Sequence, residues 1–250
     1  MATIEGFATQ GGHWYKQDGT PAYTIIGKNG KERPTTLRDA RTEKLVPSVT
    51  TIMRCAAAPG LERWKQNNLL MAALTLPKIE GETLDDYASR VIKDAEEQSK
   101  AAMARGTAIH GAVEQAFNGL DYPSEWVPHV EGTIKAIDAH FGPQKWLAER
   151  SFASNGYGGK LDLHAQGIIV DLKTKEFGPD HKTLAWEEQS MQLIAYANGL
   201  GMPEARCANV FISVNNPGLV VVHEWAKEDL VKAWKMFSAL LTFWYAKTGL

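Results

Sequence analysis

Two aspartates and a lysine come closest to a recognisable chemistry: Asp162, Asp171 and Lys173, within GGKLDLHAQGIIVDLKTKE at 158–176. If Gln166 and Gly167 form a two-residue hairpin loop, the register places Asp162 directly opposite Asp171. Strand alternation then sorts Leu161, Leu163, Ala165, Ile168, Val170 and Leu172 to one side. Lys160, Asp162, His164, Asp171 and Lys173 fall on the other. Like charges facing across a strand pair repel, so two carboxylates placed that way invite a compensating cation. Hard divalent ions take carboxylate oxygens, and Mg2+ combines one or two of them with water and substrate phosphate. Lys173 would point into the same cavity. The plainer alternative is a hairpin with its charged side in water, and the hairpin by itself leaves both open.

Other segments supply partners. The helical pattern at 99–117 puts His110 and Glu114 four residues apart on one face. Its small residues Ala101, Ala102, Ala104, Gly106, Thr107, Ala108 and Gly111 make it thin enough to approach a sheet or a ligand closely. A zinc site on His110 and Glu114 would need a second histidine at ligand spacing, which HxxxE does not provide. In the helix at 187–200, Gln192 and Tyr196 again project from one face, while Leu193, Ile194 and Ala197 suit packing on a sheet. Arg105, Arg54, Arg63 and Lys65 could meet phosphates, and Trp64 could stack on a base or sit in a core. Ser48 and Thr50 could donate to phosphate or cap a helix. Glu149 could orient a water or form a surface ion pair. The histidines other than His110 form no ligand constellation.

These residues must be positioned by 250 residues that are 44% hydrophobic, enough to bury about 70% of the extended-chain surface. Two cysteines, Cys55 and Cys207, exclude a disulfide-rich scaffold and a four-cysteine zinc or iron–sulfur site from one chain. The net charge of −2 is unevenly spread: residues 31–44 carry five basic and three acidic groups, residues 80–97 seven acidic and two basic. A near-neutral total therefore conceals a basic and an acidic surface. MATIEGFATQ lacks the basic and apolar regions of a secretory signal, and no run reaches the eighteen apolar residues of a membrane span. The expected location is cytoplasmic, with no membrane partner.

The pattern predicts an α/β (α+β) fold, a central mixed sheet with flanking helices and a helical N-terminal elaboration. Residues 1–47 read as turn-rich β or irregular structure, and Pro47 and Ser48 open a helix with Ser48 as N-cap. Helices are expected over 61–75, 83–118 and 126–141, the last two closed by Gly119 and by the FGP at 141–143. Strands follow at 146–153, 160–165 and 167–173, then a helix at 184–200. Strands at 208–214 and 219–225 are joined by NNPG. A final helix at 227–246 lays Leu230, Val231, Trp234, Phe237, Leu241 and Trp244 along one side. The division suggested is 1–98 for the elaboration and 99–250 for the core, integrated as one domain.

RGTAIH (105–110), GGKLD (158–162), DLK (171–173) and QLIAY (192–196) together resemble the RecB-like branch of the PD-(D/E)XK nuclease superfamily. That branch includes the lambda-type phage exonucleases, the CRISPR-adaptation nucleases and the mitochondrial genome maintenance exonuclease. VPSVTTIM (46–53) and LERW (61–64) resemble the start of the mitochondrial-type members. The resemblance implies a restriction-endonuclease-like core and metal-dependent hydrolysis of DNA. His110, Asp162, Asp171 and the backbone carbonyl of Leu172 would hold Mg2+ or Mn2+. Asp162, Asp171 and Lys173 would be catalytic, while Gln192, Tyr196, Arg105, Ser48, Thr50 and Trp64 would meet the substrate. It further implies an exonuclease acting on a single strand or a duplex end, with a single-strand annealing or single-strand binding protein as a further partner. No iron–sulfur cluster is expected, since the cluster cysteines of some relatives are missing. A non-catalytic DNA-binding or recombination-accessory module on the same fold is the competing reading.

Overall fold

The structure is a computed structural model and describes residues 12–56, 59–181 and 184–250. Its elements in chain order are β1 (Trp14–Tyr15), β2 (Thr24–Ile26), β3 (Glu32–Pro34), α1 (Leu37–Glu43), β4 (Val46–Pro47) and α2 (Val49–Met53). α3 (Pro59–Thr75), α4 (Leu84–Phe117), a 3-10 turn at Ser124–Trp126 and α5 (Val127–Phe141) follow. Then come β5 (Leu147–Ser154), β6 (Tyr157–Ala165), β7 (Ile168–Lys175), α6 (Glu187–Gly199), β8 (Arg206–Ser213), β9 (Val220–Glu224) and α7 (Lys227–Thr248). The main sheet has the order β5-β6-β7-β8-β9. Only the β7–β8 pair is parallel, and α6 makes the crossover that a parallel connection needs. The fold is thus mixed α/β, as the sequence pattern predicts. Among the described residues no helix is long and apolar enough to cross a membrane.

Both faces of the sheet are covered. Ile109 and Val113 of α4 and Val130 and Ile137 of α5 pack with Val170, Leu172, Val210 and Ile212. On the other face, Leu193 and Ala197 of α6 and Leu230 and Phe237 of α7 pack with Leu161, Ile169 and Cys207. The site strands are therefore held between helix layers, each burying its apolar stripe.

Local signals explain most boundaries. Ser48 accepts the Thr51 amide proton and starts α2; Thr83 does the same with Asp86 for α4. Gly142, at φ 71, ends α5 in a conformation that suits glycine. The first 47 residues differ from expectation where α1 forms, on a reciprocal cap between Thr36 and Asp39. Residues 1–11, including the segment read for a secretory signal, lie outside the described residues. On α7 the buried positions are Leu230, Ala233, Phe237 and Trp244, whereas Val231 is 49% exposed, a 100° step off the stripe.

The N-terminal elements do not stand apart from the core. Residue 98 lies inside the unbroken helix α4. Trp14, Ala40, Val49 and Ile52 belong to the same buried cluster as Phe237 and Trp244. Tyr15 lies so close to Gly158 of β6 that a Cβ there would come within 2.7 Å of the Tyr15 ring. Gly158→Ala should therefore push Tyr15 off β6 and lower stability by about 1–3 kcal/mol, the usual cost of overpacking, seen as a lower urea midpoint.

Candidate active site

The β6–β7 hairpin has the predicted register: Ala165 pairs with Ile168, His164 with Ile169 and Leu163 with Val170, around Gln166 and Gly167. The ladder stops there, although both strands continue. Upstream of Leu163, β6 pairs with β5 and, at Gly158, bridges to Ser48; beyond Val170, β7 pairs with β8. The strands thus part at Asp162 and Asp171, which are not ladder partners. The Leu172 N–H, freed from the ladder, donates to Asp162 Oδ2 at 2.7 Å. The fork falls where two carboxylates would otherwise face each other, a juxtaposition that repulsion disfavours.

The fork also breaks the expected alternation. Leu161 belongs to the α6–α7 side and Leu163 to the α4–α5 side. The change falls at Asp162, opposite Glu149, whose φ is 56 in the left-handed region. Nor is the charged side wet. Asp171 is 3% exposed. His164 is buried, with Arg150 donating to its Nε2 at 3.3 Å and its Nδ1 bonded to the Leu147 carbonyl at 3.1 Å. Lys160 is ion-paired with Glu149.

Around the fork the predicted side chains converge. Lys173 Nζ lies 2.7 Å from Asp171 Oδ2 and donates to Gln192 Oε1 at 3.1 Å. Gln192 Nε2 donates to the Tyr196 hydroxyl at 2.8 Å. His110, Glu114, Glu149 and Asp162 line a cavity of about 260 Å³, and Gly111 leaves open space at the helix surface. Five residues earlier, Gly106 allows α4 to approach β7, since a Cβ there would lie 2.6 Å from Thr174 Oγ1. Of the small residues expected to thin this helix, Gly106 makes that approach; Ala101, Ala102 and Ala104 are exposed.

Electrostatics follows from burial. Desolvation, then the charge of Asp171, pushes the Asp162 carboxyl well above the usual range. Burial lowers the pKa of His110, with Lys173 adding to the effect against Asp171, so its imidazole is neutral and able to ligate. Burial disfavours the Lys173 ammonium, but Asp171 and Asp162 more than offset it and hold the pKa above its ordinary value. Burial, reinforced by Asp171, raises that of Tyr196. The site thus joins a cation-seeking pair of carboxylates, a neutral imidazole and a firmly charged lysine.

Among the described residues no three of His, Cys, Asp or Glu form a ready metal-binding group; Lys173 provides the cation beside Asp171. The donor set fits a hard divalent ion all the same: Asp162 and the neutral imidazole of His110 line the cavity, and the buried carboxylate of Asp171 lies on the neighbouring strand.

The remaining predicted contacts divide. Gln192 and the buried Tyr196 hold Lys173 in place. Ser48 is 3% exposed and its hydroxyl is taken up by Thr50, Thr51 and the α2 cap. Ser48→Ala should cost about 1 kcal/mol, the usual value of a lost cap, read from the urea midpoint. Thr50 is half-buried; Arg105 and, at 44%, Trp64 are exposed on α4 and α3. Lys65 is paired with Glu62 at 3.0 Å. Sequence reasoning missed Asn209, fully buried on β8 beside Asp171. Its signal was a lone amide inside the apolar run CANVFI.

No protein-family model matches the chain, and no curated protein matches it. Among solved structures, one titled "Crystal structure of SSO0001" is similar over 72% of this chain and 86% of its own, at 16% identity and a TM-score of 0.29.

Proposed function

We propose that this chain is a divalent-metal-dependent deoxyribonuclease of the RecB-like PD-(D/E)XK type, hydrolysing phosphodiester bonds from a DNA end. The observation that carries the reading is the Lys173 ammonium held between Asp171 and Gln192 at the mouth of a fork whose other prong bears Asp162.

His110, Asp162, Asp171 and the Leu172 carbonyl would hold Mg2+ or Mn2+, which when bound supplies positive charge to the phosphate and acidity to the attacking water. The protein's own groups do the rest. Asp162 and Asp171 provide the negative charge that selects a hard cation. Lys173, with its pKa raised, is a poor proton acceptor; it orients the nucleophile and stabilises negative charge developing on the phosphate. Gln192 and Tyr196 fix the lysine, and Glu114 and Glu149 border the cavity where water enters. Arg105 and Trp64 offer the exposed guanidinium and indole that a DNA strand uses. Work on DNA in the cytoplasm, alongside a single-strand annealing or single-strand binding protein, suits this chemistry.

End-labelled single- and double-stranded DNA incubated with the chain and Mg2+ or Mn2+ tests the reading. Progressive loss of the end label, stopped by chelator, is expected. DNA binding without cleavage under either ion would instead favour the accessory module.

A further inference from the structure

We propose that Asn209, oriented by Trp225, is a positioning residue for the Asp171 carboxylate; this rests on the nuclease reading and adds to it. Asn209 and Asp171 are neighbours across the parallel β7–β8 ladder. Asn209 Nδ2 donates to Asp171 Oδ2 at 2.8 Å, and Trp225 Nε1 donates to Asn209 Oδ1 at 2.8 Å. An amide can flip to suit its neighbours, but an indole N–H only donates. Trp225 therefore forces Oδ1 of Asn209 toward itself and Nδ2 toward β7. The amide must then meet an acceptor, and the carboxylate of Asp171 is that acceptor.

Burial makes the arrangement stringent. Asn209 has no exposed surface and sits in a strand whose Ala208, Val210 and Ile212 are also fully buried. An amide there is tolerated only with both ends bonded. Lys173 and Asn209 both engage Oδ2 of Asp171, which leaves Oδ1 the oxygen free of both for a cation. Trp225, one residue beyond β9, is itself anchored by its backbone N–H to the Cys207 carbonyl at 2.9 Å. The relay from Trp225 to Asp171 is thus two hydrogen bonds long and rests on two strands.

Outer partners of metal ligands commonly change metal affinity by about 10–100-fold. Trp225→Phe keeps an aromatic ring but removes the donor, so the Asn209 amide is free to flip. The expected result is a Mg2+ concentration for half-maximal cleavage raised by ~10-fold, with a smaller change in kcat at saturating Mg2+. A purely structural tryptophan would lower the melting temperature and leave that half-saturation alone. A second measurement does not depend on cleavage. In the full chain labelled with 15N-tryptophan, the indole resonance missing from Trp225→Phe should shift saturably with Mg2+ and stay still in Asn209→Leu. If the wild-type chain cleaves DNA while its Trp225 resonance ignores Mg2+ and Trp225→Phe keeps the wild-type half-saturation, the clamp is overturned and the nuclease stands. A saturable indole shift without any cleavage supports the clamp and removes the nuclease; neither shift nor cleavage removes both.

Discussion

Lys173→Ala is expected to lower kcat for metal-dependent DNA cleavage by at least about 10²–10³-fold, the scale on which loss of one charge-stabilising donor is felt. The ammonium touches Asp171 at 2.7 Å and is held there by Gln192, so no other described side chain occupies its place. Lys173→Arg should rescue little, because a planar fork does not reproduce a single point charge between a carboxylate and an amide. The same alanine variant loses stability, by about 3–5 kcal/mol, since it leaves the buried Asp171 carboxylate without its cation. Mg2+ should restore part of that loss without restoring cleavage. Single-turnover rates and melting curves, each with and without Mg2+, separate the two effects; a Lys173→Ala chain cleaving at the wild-type rate would remove the lysine from the mechanism.

Asp162→Asn carries the second large effect, read on stability beside the loss of cleavage expected of a metal ligand. In the metal-free chain the Asp162 carboxyl is pushed up to about 7 from an ordinary value of 3.8, by burial first and by Asp171 second. The folded state therefore holds a proton that the unfolded state releases, and between those two values stability falls as pH rises. Asparagine removes that slope and can still accept the Leu172 N–H. His110 acts in the opposite sense below 6.5, because burial keeps it neutral when folded. The difference between variant and wild type, not the raw curve, is thus the readout. At pH 8 without metal, Asp162→Asn should melt higher than wild type. With Mg2+ at about 100 times its Kd the wild-type chain should gain about 2.7 kcal/mol, most of which Asp162→Asn should fail to gain. Equal Mg2+ stabilisation of both chains would show that Asp162 does not hold the ion.

Much of the site was legible because hairpin geometry is local. A two-residue turn at Gln166–Gly167 sets the register of every pair after it, and the observed pairs Ala165–Ile168 and Leu163–Val170 follow. Helical spacing likewise placed His110 with Glu114 and Gln192 beside Tyr196, whereas the nearness of His110 to the fork was expected only from the family resemblance. Where alternation was extrapolated past Leu163 it failed, because the β6–β7 ladder ends at Asp162 and Asp171 and Glu149 turns left-handed opposite. The hairpin alone left open whether its charged side faces water; it does not, because helices from distant parts of the chain cover both sides, which no local pattern reveals. α1 was missed although Thr36 and Asp39 spell a cap, since seven residues give too short a periodicity to stand out. Asn209 was missed because its partners, Asp171 and Trp225, lie 38 and 16 residues away.

The central claim is that His110, Asp162 and Asp171 converge on one divalent cation that faces a phosphodiester. The most direct measurement is anomalous diffraction from a crystal of the chain soaked in Mn2+. A single strong peak between the Asp162 and Asp171 carboxylates, with the His110 imidazole and Asp171 Oδ1 turned toward it, is the expected result. A fully soaked crystal with no peak there, and with the His110 imidazole facing away, would contradict it.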